Sequence, residues 1–308
     1  MKDNNTIKNY KNVVIAIFSL PILALILIPL FKGSYLLSIF ITIFTYIILG
    51  ESFDILAGYV GYTNLGHVLF FGISGYTFAI LFKGGYSVYI SWTVAAILPV
   101  IIAAAISVPF FRLKGDYFSI GTLVLAQLGL LIANNLSITG GSEGLYLPAG
   151  EVTSYVYYAG LLIVLITISI HYKIGKSRWG LGLRAIREDI TSARSLGINV
   201  PMERRKALIL SSIPPSLIGG LYVAYNNYID PSTVLGIPIL LLPVSASLFG
   251  GRGHFIGPLI GVSVLLTLQE LLFTFGIPIR LLLYGTALLI VGTFMPEGLY
   301  GQIKKIIG

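Results

Sequence analysis

Between Lys173 and Lys206 the chain reads KIGKSRWGLGLRAIREDITSARSLGINVPMERRK, its one long polar stretch. On both sides apolar runs succeed one another, and several exceed the ~18 residues that mark a membrane-crossing helix. That alternation constrains the fold more than anything else in the sequence. A helix is one of only two shapes that satisfy the backbone inside lipid, so the runs have to be helices packed together. Hydrophobic residues make up 56% of the chain and charged residues 10%, whereas a soluble domain carries about 25% charge. The sequence therefore specifies an all-α, polytopic transmembrane bundle, a single domain over 1–308 with no separate soluble part.

Composition also removes function classes. There is no cysteine, so disulfides, thiolate metal sites and cysteine nucleophiles are excluded. His67, His171 and His254 are scattered without metal-ligand spacing, and no metal or catalytic residue is assigned. No G-x-x-x-x-G-K-[ST] phosphate loop occurs, so any ATP used must be bound by another chain. The net charge of +8 reports orientation in a bilayer rather than nucleic-acid binding.

About ten spans are expected, near 13–31, 35–50, 54–82, 88–111, 117–134, 155–172, 207–225, 236–250, 256–275 and 280–296. The first is read as a retained helix, not a cleaved signal. The stretch 54–82 is too long for one regular crossing and carries Gly58, Gly61, Gly66, Gly72 and Gly75, so a broken span is expected there. With the N-terminus inside, 17 of the 20 Lys and Arg residues fall on one side and only Lys32, Lys83 and Arg280 on the other. That asymmetry places both termini and the segment 173–206 in the cytoplasm of a multi-pass plasma-membrane protein.

Several stretches carry candidate chemistry, each with a plainer alternative. Within Gly58–Leu81, the polar residues Tyr62, Asn64 and His67, with Gly66, either line a solute path or sit in small-residue helix packing. Arg112, Lys114 and Asp116 read as an interfacial anchor. Thr139, Gly140, Gly141 and Ser142 form an outer turn that either receives a solute or only connects spans. Leu183, Ile186, Ile190, Ala193 and Gly197 recur at helical spacing and predict one amphipathic helix over 183–197. Its apolar stripe is expected in the lipid interface or in a partner's groove. Glu51 and Asp54 are expected near the inner interface. Glu270 is expected to be hydrogen-bonded inside the bundle, with a proton-moving role as the alternative.

In order along the chain, these stretches resemble the inner-membrane permease subunits of branched-chain amino-acid ABC importers, from about Leu49 to Gln302. The resemblance rests on Gly58–Leu81, on LKGDYFSIGTL followed by TGGSEGL, on LRAIREDITSARSLGINV, and on LYGTALLIVGTFMPEGLYG at the end. It implies that 173–206 is a cytoplasmic coupling loop. Arg184, Arg187, Glu188, Asp189, Ala193 and Gly197 would then contact a separate ATPase, which binds the ATP-Mg; this chain binds no cofactor. It further implies a second, distinct permease subunit and an extracytoplasmic solute-binding protein. The cargo is a branched-chain amino acid or another small zwitterion or amide, such as urea. The chain departs from the family pattern at Tyr62, Asn64, Leu181 and Arg194, and at Pro214-Pro215, which are expected to kink or half-unwind the seventh span. The rival readings are a proton- or ion-coupled secondary transporter using Glu270 or Asp54, and a membrane scaffold that recruits a cytosolic protein.

Overall fold

The computed structural model describes residues 25, 29, 34–113, 115–148, 153–274, 280–295 and 298–307. The expected first span, 13–31, and Lys114 lie outside the described residues. The structure is a helical bundle: α1 (Ser34–Tyr59), α2 (His67–Lys83), α3 (Val88–Phe110), α4 (Asp116–Asn135), α5 (Thr153–Lys176), α6 (Arg178–Glu188), α7 (Ile190–Ser195), α8 (Val200–Asn226), α9 (Pro231–Leu235), α10 (Ile237–Gly250), α11 (Ile256–Thr274), α12 (Arg280–Phe294) and α13 (Gly298–Ile307). Among the described residues six helices are long and apolar enough to cross a membrane, and α2 with parts of α11 and α12 forms shorter apolar helices.

The bundle has two distinct ends. At one, the α1–α2 break, the α3–α4 turn, α6–α7, the α10–α11 turn and the start of α13 meet. Arg187 reaches Gly58, Tyr62 packs on Phe111 and Phe118, and a Cβ on Gly298 would lie 2.5 Å from Gly251. At the other, β1 (Leu145–Tyr146) pairs antiparallel with β2 (Tyr228–Ile229), Leu145 opposite Ile229. The Tyr228 hydroxyl donates to the Glu143 carbonyl at 2.8 Å.

The broken span is present and its break lies among the expected glycines, but the boundary expected between 50 and 54 is absent. α1 runs unbroken through Gly50 to Tyr59, and residues 60–66 are non-helical before α2 begins at His67. A helix tolerates single glycines when it is packed, at ~1 kcal/mol each. Gly61, at φ +79°, is where the backbone actually turns. The basic segment is also shorter than expected, because α8 starts at Val200. Asn199 caps it by accepting from the Met202 N–H, and Pro201 sits in the first turn, where its missing N–H costs nothing.

α8 stays helical through Pro214-Pro215, against the expected unwinding. Pro215 has no N–H to offer the Ser211 carbonyl four residues back. The buried Ser52 hydroxyl of α1 donates to that carbonyl instead, so the orphaned acceptor is satisfied across the helix pair. Next to it the small residues of α8 let α2 approach closely: Ser74 donates to the Ser216 carbonyl at 2.6 Å and accepts from the Gly220 N–H at 3.1 Å. Replacing Ser52 with Ala leaves the Ser211 carbonyl without a partner. Thermal unfolding of the detergent-solubilised protein should show a loss of about 1 kcal/mol; an unchanged midpoint would mean the hydroxyl is dispensable.

Candidate functional site

Two regions hold the polar side chains inside this apolar bundle. The first is the end where α6 lies. Leu183 and Ile186 are fully buried and pack with Tyr59, Val60 and Ile174 of the bundle itself. The expected single helix 183–197 is two helices, broken at Asp189, whose backbone is extended at φ −154°. The Asp189 carboxylate accepts the Ser192 N–H at 2.6 Å and so caps α7. The apolar stripe therefore covers the chain's own bundle, in place of lipid or a partner's groove. Ala193 is buried in that same contact. Gly197 is exposed, with open space where a Cβ would go. It takes φ +80° to end α7, as the Ile198 N–H returns to the Ala193 carbonyl at 3.2 Å. Gly197 thus ends the helix, while Ala193 faces the bundle.

Two of the arginines of α6 also reach the bundle. Arg187 donates to the Gly58 carbonyl at 2.6 Å, and Arg184 donates to the Gly253 carbonyl at 3.3 Å. Arg184 also sits over the Tyr59 ring. Glu188 is exposed and pairs with Arg187 at 3.3 Å. Leu181 and Leu196 stand out as large apolar side chains exposed at 61% and 75%.

Immediately inside this contact lie Glu51 and Asp54, fully buried within the bundle. One helical turn apart on α1, they share His171 of α5. Glu51 contacts imidazole Nδ1, and Asp54 lies 3.4 Å from Nε2. Asp54 also accepts from the Ser247 hydroxyl at 2.7 Å and from the Gly253 N–H at 2.8 Å. Buried carboxylates need such partners. The sequence offered Glu51 and Asp54 as a pair, but His171, Ser247 and Gly253 carried no local signal, since they come from three separate stretches. Glu270 takes no part: its side chain is exposed on α11, and its neighbour Gln269 accepts from the Tyr284 hydroxyl instead.

The second region is a cleft of about 330 Å³ between α2 and α4, walled by Leu69, Gly72, Tyr76, Leu125, Gly129 and Leu235, with Thr77 and Thr139 along it. Both glycines shape it. A Cβ on Gly72 would lie 2.4 Å from Leu235, and one on Gly129 2.5 Å from Leu69. The Tyr76 hydroxyl is buried and has no protein partner.

The sequence-predicted pathway residues divide between the ends of this cleft. Tyr62, Asn64, Gly66 and His67 lie at the α6 end. Tyr62 holds the Arg204 guanidinium 4.3 Å over its ring. Asn64 accepts the Gly66 N–H at 2.9 Å, and its carbonyl meets His67 Nδ1 at 3.1 Å. That arrangement leaves Asn64 Nδ2 and His67 Nε2 buried without protein partners. Thr139, Gly140, Gly141 and Ser142 lie at the far end, where the Thr139 hydroxyl donates to the Ala133 carbonyl at 2.6 Å. Gly140 and Gly141 take left-handed backbone, and Ser142 is exposed. The structure does not bring the two sets together; α2 and α4 run between them. Sequence reasoning missed Tyr76 and Thr77, whose neighbours in sequence look like any apolar helix.

The polar seam, the α2–α4 cleft and the basic end are features of a membrane permease. A family model described as "Branched-chain amino acid transport system / permease component" matches residues 35–292. The chain belongs to that family and is a multi-pass membrane transport protein. The high-affinity branched-chain amino acid transport system permease protein LivM of Escherichia coli K12 is 26% identical over 298 aligned positions, covering 82% of this chain and 67% of that protein. A probable LivM permease of Methanocaldococcus jannaschii is 26% identical over 234 positions (69% and 68%). The autoinducer 2 import permease LsrC of Yersinia enterocolitica is 25% identical over 203 positions (63% and 55%). No solved structure is detectably similar.

The cap at Asp189 gives a prediction. Its exposed carboxylate is held below the usual range, first by the Ser192 N–H. The cap is therefore complete above the ordinary carboxylate pKa and is lost as pH falls through the lowered value. Asp189→Ala should lower the protection factors of the 190–195 amides several-fold at neutral pH, and strong acid should do the same to the unaltered protein. Unchanged protection in both would remove the cap from the account.

Proposed function

We propose that this chain is the translocation subunit of an ABC importer that carries branched-chain amino acids, or a similar small zwitterion with an aliphatic side chain, into the cell. The observation that carries the reading is the α2–α4 cleft. It is mostly apolar, lies within the size range of small-ligand sites, and has a few hydroxyls where a polar head would need them. The names of the LivM relatives point to the same cargo. The LsrC likeness makes a more polar solute the competing cargo, and transport competition separates the two.

In this reading the basic end faces the cytoplasm, as does the C-terminal helix beside it. ATP-Mg is bound and hydrolysed on a separate ATPase subunit. The buried face of α6–α7 is committed to the bundle, so the ATPase meets the outer face: Glu188, Asp189, Arg194 and the exposed Leu196. A distinct second permease completes the pore, and a solute-binding protein delivers cargo at the β1–β2 end. The bundle alternates between two discrete arrangements, and the break at 60–66, against the buried faces of α4 and α6, is where irregular backbone would line the path.

The test is uptake of radiolabelled leucine into proteoliposomes that hold the complete transporter, with and without ATP and binding protein. Uptake that needs both supports the reading; uptake driven by a proton gradient without ATP contradicts it. Filling the cleft with Gly129→Phe should lower uptake by about tenfold. Leu196→Asp should weaken ATPase association by about tenfold while leaving leucine delivery by the binding protein intact. Unaltered uptake in the first variant, or unaltered association in the second, would remove that residue from its assigned surface.

A further inference from the structure

We infer that Asp54, together with Glu51 and His171, is the positioning node through which movement of α6 is handed to the membrane-spanning helices. The inference rests on the transporter reading above and says which interior residues carry the coupling.

Starting at the surface segment, Arg184 holds the Gly253 carbonyl at 3.3 Å, and the N–H of the same glycine is held by Asp54 at 2.8 Å. Arg187 holds the Gly58 carbonyl at 2.6 Å, on the helical turn that follows Asp54. Asp54 then reaches Ser247 of α10 and His171 of α5, and His171 reaches Glu51. Two surface arginines are thus joined by hydrogen bonds to α1 and α10, and through the Asp54–His171 contact at 3.4 Å to α5, with every side chain of the node fully buried. Apolar side chains can slide past one another at little cost. A buried carboxylate between an imidazole, a hydroxyl and an amide cannot slide without exposing unpaired charge, so the elements it joins move as one body.

Glycine packing closes the same joint. A Cβ on Gly58 would lie 2.5 Å from the Gly253 nitrogen and 2.7 Å from the Asp54 carboxylate. The backbones of α1 and of the α10–α11 turn are therefore in direct contact at the node, with no side chain between them to yield. No charge of α6 other than Arg184 and Arg187 is bonded to the bundle among the described residues. Push on α6 accordingly arrives at Asp54, and not at the α2–α4 cleft directly.

The readout is ATP hydrolysed per leucine taken up by the complete transporter in proteoliposomes. Asp54→Asn and His171→Gln keep the side-chain volumes and remove the charges. Each should raise that ratio by about tenfold, the scale of a typical coupling between sites. Asp54→Glu, which restores the charge, should recover at least part of the loss. A ratio equal to that of the unaltered transporter in both folded variants overturns the inference. If the unaltered transporter shows no ATP dependence, the transporter reading fails instead.

A second measurement leaves the node intact and so does not depend on the variants folding. The chain has no cysteine, so spin labels at Leu181→Cys and Arg252→Cys, both exposed, have no background from this chain. Their separation should be the same in the nucleotide-free and ATP-bound transporter, while labels on α6 and on exposed Leu131 of α4 should change separation. A resolved change in the first pair between the two states overturns the one-body claim.

Discussion

Two carboxylates buried on one face of a membrane helix set the terms for everything around them. Glu51 and Asp54 have no solvent to turn to, and an unpaired buried charge costs several kcal/mol. Their partners come from α5, α10 and the α10–α11 turn, which fixes how those elements meet α1. The outer carbonyls of the same turn and of α1 are then free to receive Arg184 and Arg187. The seat of the basic segment is therefore a consequence of the charge pair beneath it, and not an independent surface feature.

In the proposed coupling role the segment has two faces with different duties. Its inner face, Leu183, Ile186 and Ala193, is spent on the bundle. Its outer face keeps Glu188, Arg194 and Leu196 exposed. A connection that gripped only its partner would let the bundle lag behind; one that gripped only the bundle would have nothing to push on it. The break at Asp189 supports this division, because a single straight helix would put Ile186 and Ala193 on the same line and leave no second direction for Leu196.

Much of the architecture was legible in the sequence for a simple reason: lipid permits few alternatives. Length and apolarity located the helices, and the glycines around 58–66 announced a break. The continuity of α1 through 50–54 was not legible. Whether Gly50 or Gly61 turns the chain depends on what packs against each, and Pro258 and Val262 against Gly50 keep α1 straight. Pro214-Pro215 misled for the same kind of reason, since Ser52, far away in sequence, satisfies the carbonyl the proline strands. The candidate site was half legible. Periodicity found the buried stripe of α6–α7 but could not say what it was buried against. His171 looked like a stray histidine because its meaning depends on the register between α1 and α5.

The account stands on α6 riding with the bundle while its outer face carries the load. An experimental structure of the complete transporter in nucleotide-free and ATP-bound states tests this most directly. The account predicts that the Arg187–Gly58 and Asp54–Gly253 hydrogen bonds persist in both, with the ATPase against Leu196 and not against Leu183 or Ile186. A state in which α6 has lifted away from Gly58 and Gly253, its buried leucine and isoleucine now held by the ATPase, would contradict it.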